Sequence, residues 1–178
     1  LQAIETQEEP FDVLFLDVWT PGDFPSTWGA IKALTCIEGM SSFAEAALID
    51  KANSKTIARA AFSSFFIPNG LPKLVIIDAG SEFAGALTEM CTSLGIPFYR
   101  VANENHKAIL NERFHRYLNK VEKIHQADCE SLDQWVMGLF FALYGWNTSP
   151  VDGTNITRSL AAKGREFHFP IDILEAPP

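Results

Sequence analysis

Three carboxylates and one polar helix face carry the chemistry that this sequence can support. Asp17 comes at the end of the apolar run FDVLFLDV, and Asp78 directly follows a second run, KLVII. Runs of this kind, rich in β-branched and aromatic residues, predict strands buried on both faces. Side by side and parallel, such strands bring Asp17 and Asp78 together at one sheet edge, where α/β ligand sites form. Two carboxylates a few ångströms apart repel, and a divalent cation relieves the repulsion. Glu112 belongs to a third stretch, NENHKAILNERFHRYLNKVEKI, residues 103–124. There Leu110, Phe114, Tyr117, Leu118, Val121 and Ile124 recur at helical spacing and predict a face turned to the core. The opposite side carries Glu112, Arg116, Asn119 and Lys123, a single acid at the head of a mostly cationic stripe. Three carboxylates without His or Cys make a hard oxygen site, suited to Mg²⁺ or Mn²⁺ rather than zinc. Any one of these acids alone is explained by a strand-end turn or by an ordinary Glu112–Arg116 ion pair. It is the three in this order that point to a site.

The elements that must position them follow from periodicity and punctuation. Residues 28–36 and 42–49 predict two strands of an antiparallel hairpin, the second also compatible with a helix. Asn53 is placed to cap a helix over 53–66, stopped by Pro68, Gly70 and Pro72. A helix over 82–94 closed by Gly95, a strand over 96–101 and a polar loop over 102–107 lead into the helix of Glu112. Ser131 opens a further helix to about Trp146. The order, three strands followed by alternating helices and strands, predicts a mixed α/β layer architecture. Residues 1–10 read as an acidic lead, 10–148 as the core, and 149–178 as an extended arm with room for one short helix.

Composition narrows the class. The chain has 178 residues, 47% of them apolar and 20% charged, which suits one globular domain with a sizeable core. No apolar run is long enough for a membrane span. The lead lacks the basic and apolar regions of a signal peptide, and Leu1 suggests a piece of a longer chain. The widely spaced Cys36, Cys91 and Cys129 form neither a disulfide framework nor a zinc spacing. Net charge is -8, which taken alone argues against a nucleic-acid binder. Its distribution is uneven, however. Residues 1–23 hold six acids and no Lys or Arg, whereas residues 100–125 hold six bases against three acids.

With these residues in place, the chain resembles the catalytic core of retroviral and retrotransposon integrases, a ribonuclease-H-like fold with a mixed five-stranded sheet flanked by helices. The resemblance runs through FLDVWTPGD around Asp17, IIDAGSEF around Asp78, LNERFHRYLN around Glu112, and ALYGWNTSPVDGT after the core. The 33 residues between Asp78 and Glu112 are close to the spacing of the family's two-Asp-one-Glu triad. Ala79 stands where the family usually has Asn, and no glycine precedes Glu112 in the segment 106–111.

The resemblance implies metal-dependent phosphoryl transfer on DNA, namely 3′-end processing and strand transfer. It implies two Mg²⁺ (or Mn²⁺) ions, with Asp17 bridging both, Asp78 on one and Glu112 on the other. Lys107, Arg113, Arg116, Asn119 and Lys123 would contact the DNA backbone. Glu82 reads as an acid at a helix N-terminus rather than a ligand, and His115 as a surface residue. A ribonuclease H would draw a further acid from the first helix, but residues 53–66 contain no Asp or Glu. The remaining rival is a degenerate, non-catalytic domain for oligomerisation or chromatin binding through the aromatic helix 131–146. Trp135, Phe140, Phe141 and Trp146 there predict a homo-oligomer, and a eukaryotic retroelement would place the chain in the nucleus.

Overall fold

A computed structural model describes residues 9–22, 31–78, 80–101, 109–126 and 129–168. The central strand β1 (Val13–Trp19) pairs antiparallel with β2 (Lys32–Glu38), which pairs antiparallel with β3 (Ala44–Ile49). On its other side β1 pairs parallel with β4 (Leu74–Asp78), and β4 pairs parallel with β5 (Phe98–Val101). The order across the sheet is β3-β2-β1-β4-β5. The second hairpin segment, 44–49, is thus a strand and not a helix. Residues 28–30 and 102–107 lie outside the described residues.

Helices cover both faces of the sheet. Alternation along β1 sends Leu14 and Leu16 to one face and Val13, Phe15 and Trp19 to the other. The first face packs under α1 (Ser54–Ala61) and α3 (Ala86–Ser93), through Ile57, Phe65, Phe66, Leu87 and Cys91. The second packs under α4 (Ile109–Gln126) and α5 (Leu132–Thr148), through Phe114, Leu118, Trp135 and Leu139. Among the described residues no helix is long and apolar enough to cross a membrane.

Two helix boundaries and one helix face differ from the sequence expectation. Asn53 caps α1 as expected, its side chain accepting the Thr56 N–H at 3.0 Å. The helix then runs past Phe66, through a π-helical turn at Phe62–Phe66 and a last turn α2 (Ile67–Asn69). The wider π turn shifts the bonding, with the Ile67 N–H donating to Phe62 O, so Pro68 sits at the start of a new turn. The expected helix 82–94 is split into a 3-10 turn (Ser81–Phe83) and α3, because Ala84 is extended and Gly85 takes φ 77°. Ile124, expected on the apolar face of α4, is 68% exposed. The flank covered at that end is instead that of Glu122, which accepts the Gly22 N–H at 2.8 Å.

The segment after α5 folds back on it. The helix α6 (Arg158–Lys163) buries Ala162 in the α1/α3 core. The Arg158 guanidinium donates to the carbonyls of Ser149 and Pro150 at 3.1 and 2.9 Å and lies 4.3 Å over the Trp146 ring. Asn147 clamps the start of β3, accepting the Ala44 N–H and donating to Ala44 O, both at 2.8 Å.

Candidate active site

The register of the sheet decides where the two aspartates meet. Leu16 of β1 lies opposite Ile77 of β4, so one further step along both parallel strands sets Asp17 beside Asp78. Asp17 shares the face of Val13 and Phe15, and Asp78 that of Ile76, the face roofed by α4. Both line an open cleft of about 450 Å³ together with Asn111, Glu112, His115, Arg116 and Asn119 of α4. All three carboxylates expected to act together therefore border one cleft.

The electrostatics of that cleft are set by burial. Asp17 is half-buried, and among the described residues its one close donor is the Val18 N–H, which Oδ1 accepts at 2.7 Å. Burial pushes its carboxyl up to about 6; the Val18 N–H works against this, and the negative charges of Asp78 and Glu82 add to it. Glu82 reaches the site because residue 80 is glycine. A Cβ at Gly80 would fall 2.6 Å from Glu82 Oε2.

These features fit a divalent cation. The donors are hard oxygens, and Asp17 is held near 6 by burial, with the charges of Asp78 and Glu82 adding to it. The triad is not gathered, however. Among the described residues no three His, Cys, Asp or Glu side chains are close enough to hold one ion. Glu112 pairs instead with Arg116 at 2.6 Å. Both partners of that pair are well exposed, at 64% and 71% of their side-chain surface. Exposed i,i+4 pairs contribute only about 0.3–0.5 kcal/mol, so little holds Glu112 away from the aspartates.

The cationic stripe is less uniform than its spacing. Arg116 is paired with Glu112, and Arg113 turns aside to Asp152 at 2.5 Å. Asn119 accepts the Trp19 indole N–H at 2.7 Å, which ties the middle of α4 to β1. Lys123 is exposed, and Lys107 lies outside the described residues.

Two residues at this site carry no sequence signal of their own. His115, expected at the surface, is half-buried and meets Thr35 Oγ1 through Nε2 at 2.9 Å. Its Nδ1 lies 3.6 Å from Asp17 Oδ2. That spacing would be an ion pair were the ring charged, but burial holds His115 down at about 4 and the ring is neutral at pH 7. Thr35 lies directly opposite Asp17 in the β1/β2 register. Only the hairpin register could have flagged it.

Comparison with known proteins bears on the fold. The HTLV-2 integrase catalytic core domain in complex with magnesium, in its trimeric form, superposes with a TM-score of 0.70 at 20% identity, over 87% of this chain and 98% of that one. Its dimeric form gives 0.68 at 19% identity, over 87% and 98%. A simian T-cell lymphotropic virus intasome in complex with a PP2A regulatory subunit gives 0.70 at 19% identity, over 99% of this chain and 59% of that one. The fold is therefore the ribonuclease-H-like fold of integrase catalytic cores. In sequence the chain is 32% identical, over 148 residues, to the retrovirus-related Pol polyprotein from transposon 412 of Drosophila melanogaster. Those residues are 82% of this chain but 12% of that polyprotein. No protein-family model matches the chain. In fold the chain is like integrase catalytic cores, and in sequence it is like one segment of a retrotransposon Pol polyprotein.

Proposed function

We propose that this core catalyses metal-dependent phosphoryl transfer on DNA, processing 3′ ends and joining them to a target strand. The observation that carries the reading is the placement of Asp17 and Asp78 on adjacent parallel strands, facing Glu112 across one cleft. Asp17, Asp78 and Glu112 would hold two Mg²⁺ or Mn²⁺ ions. Bound there, such ions lower the pKa of an attacking water or 3′-hydroxyl and stabilise the leaving oxygen. Glu112 exchanges its Arg116 partner for the cation site, and the released guanidinium then faces a DNA phosphate. Arg116, Asn119 and Lys123 lie along the exposed side of α4 and position the backbone without reading sequence. The HTLV-2 cores in dimeric and trimeric forms and the intasome support an oligomer working on DNA.

The test is a nicking and joining assay on duplex oligonucleotides, with and without Mg²⁺. Asp17→Asn, Asp78→Asn and Glu112→Gln are each expected to abolish the metal-dependent product in a folded protein. Arg116→Ala is expected to weaken DNA binding and flatten its log–log salt slope by about one. A folded chain with no metal-dependent product would overturn the reading. One observation would then favour a non-catalytic oligomerisation domain. On α5, Met137, Phe140 and Phe141 are 52%, 48% and 60% exposed, whereas Trp135 is buried in a stack on Trp19.

A further inference from the structure

The outer edge of β3 carries main-chain groups that the rest of the fold does not close. β3 ends the sheet, so β2 is its one neighbouring strand. Within that antiparallel pair the Glu38 N–H donates to Phe43 O at 2.8 Å, and bonded positions recur at every second residue. Glu45, Ala47 and Ile49 therefore direct their N–H and C=O groups inward, and Ala44, Ala46 and Leu48 direct theirs outward. Asn147 fits this alternation, because its carboxamide takes both outward groups of Ala44 at 2.8 Å. Among the described residues nothing closes those of Ala46 and Leu48. Beside this stretch, the end of β3 and α1 border an open groove of about 520 Å³ lined by Leu48, Asp50, Lys55, Arg59 and Ser63 among others. Lys55 and Arg59 are exposed, and neither forms an ion pair among the described residues. Residues 53–66 bring no acid to this flank, and Asp50 is the one carboxylate in the groove's lining.

The spacing of these parts matches an extended strand. Lys55 and Arg59, four residues apart on α1, are separated by about 6 Å along the helix axis. Side chains on one face of a strand repeat at nearly the same distance, about 6.6–6.8 Å. A strand laid along Ala46 and Leu48 would therefore turn every second side chain to the cationic flank. We propose that β3 accepts, as a sixth strand, an extended peptide of a partner protein with Asp or Glu at alternate positions. Main-chain bonds to Ala46 and Leu48 hold such a peptide, and Lys55 and Arg59 select its charge. A second copy of this chain is a poorer occupant. Antiparallel pairing of two β3 edges would set both cationic flanks on one side of the seam, where like charges repel. A nucleic-acid backbone meets the cations but offers no alternating donors and acceptors to the strand edge. None of these residues borders the cleft of Asp17 and Asp78, so the surface stands whether or not the metal reading does.

The probe is a short end-blocked peptide alternating valine and glutamate, set against a valine–lysine counterpart and titrated into the ¹⁵N-labelled full chain. The glutamate peptide is expected to bind about tenfold or more tightly than the lysine one, with an affinity that falls as salt is added. The Ala46 and Leu48 amides should become protected from hydrogen exchange in the complex. Lys55→Glu combined with Arg59→Glu, both exposed, should weaken binding by about tenfold or more. Leu48→Pro removes one outward N–H at an edge position, where proline is tolerated, and should weaken it as well. Should Leu48→Pro not fold, the charge-reversed variant and the exchange data decide the question. Failure of the glutamate peptide to bind, equal binding of both peptides, or binding that leaves Ala46 and Leu48 unprotected overturns the proposal. So does protection of those amides that grows with the concentration of the chain alone, which would assign the edge to a second copy. Displacement of the peptide by duplex DNA through Lys55 and Arg59 overturns it too, making the groove a nucleic-acid surface.

Discussion

Glu38 and Asp17 are carboxylates of the same antiparallel strand pair, lying towards opposite ends of it, and their surroundings differ in kind. Glu38 is 1% exposed, yet its oxygens collect the N–H groups of Phe11, Met40 and Ser41 at 3.4, 2.7 and 2.7 Å and the Ser41 hydroxyl at 2.5 Å. It fastens the hairpin turn, where Ser42 takes φ 60°, to the start of β1. Asp17 is more exposed but less satisfied, with one N–H donor among the described residues, two acidic neighbours and His115 Nδ1 at 3.6 Å. A buried acid ringed by donors is part of the scaffold, because charge and hydrogen bonds close within the protein. An acid with one close donor and acidic neighbours is instead ionised at a cost. The contrast separates structure from site without reference to any relative.

Breaking each acid should therefore produce opposite results. Glu38→Ala leaves buried donors unpaired and is expected to destabilise the fold by about 3 kcal/mol or more in urea unfolding. Asp17→Asn removes an unfavourable charge. At pH 7 without metal it should cost less than about 1 kcal/mol and is expected to stabilise if anything.

The pH dependence of stability sharpens the comparison, measured by unfolding in chelator across pH 3.5–7.5. Asp17 is raised from 3.8 to about 6, so its contribution is present at low pH and lost as pH rises through about 6. His115 is lowered from 6.5 to about 4, so its contribution is present above 6.5 and lost as pH falls through about 4. Each amounts to about 2–3 kcal/mol, and between the two values they oppose one another. The unmutated chain should be nearly flat in this window as far as the pair is concerned. Asp17→Asn should unmask stability rising with pH, and His115→Leu stability falling with it.

A smaller effect is expected at Asn147. Within the Trp-Asn-x-x-Pro stretch, Asn147→Ala strips both hydrogen bonds from Ala44 and should cost about 2 kcal/mol in unfolding, with Mn²⁺ affinity unchanged. The smallest concerns Gly80→Ala, whose Cβ displaces the Glu82 carboxylate. The Asp17 carboxyl should then titrate below about 6 in an NMR titration, with the fold retained.

How far the sequence reached is clearest in particular residues. FDVLFLDV and KLVII declare buried strands because continuous apolar runs have no other soluble fate, and Asp17 and Asp78 are visible as the polar residues at or just beyond their ends. The helical period around Phe114 and Leu118 puts Glu112 and Arg116 on an outer face, where the structure has them. The same period misplaces Ile124, because a helix wheel knows nothing of which element lies alongside the last turn. It also gives no hint that Glu122 is bonded to Gly22 or that Arg113 leaves the stripe for Asp152. The Trp-Asn-x-x-Pro stretch is legible as a motif, but its work, clamping β3 to α5, is not.

Local pattern thus determined which segments are strands and helices and which acids end them, since propensity and amphipathic period act over a few residues. Only the tertiary structure decided that β1 and β4 are parallel neighbours, that Thr35 lies opposite Asp17, and that His115 comes between Thr35 and the Asp17 carboxylate. Those are matters of register and burial, fixed by contacts between residues tens of positions apart, and no spacing along the chain encodes them.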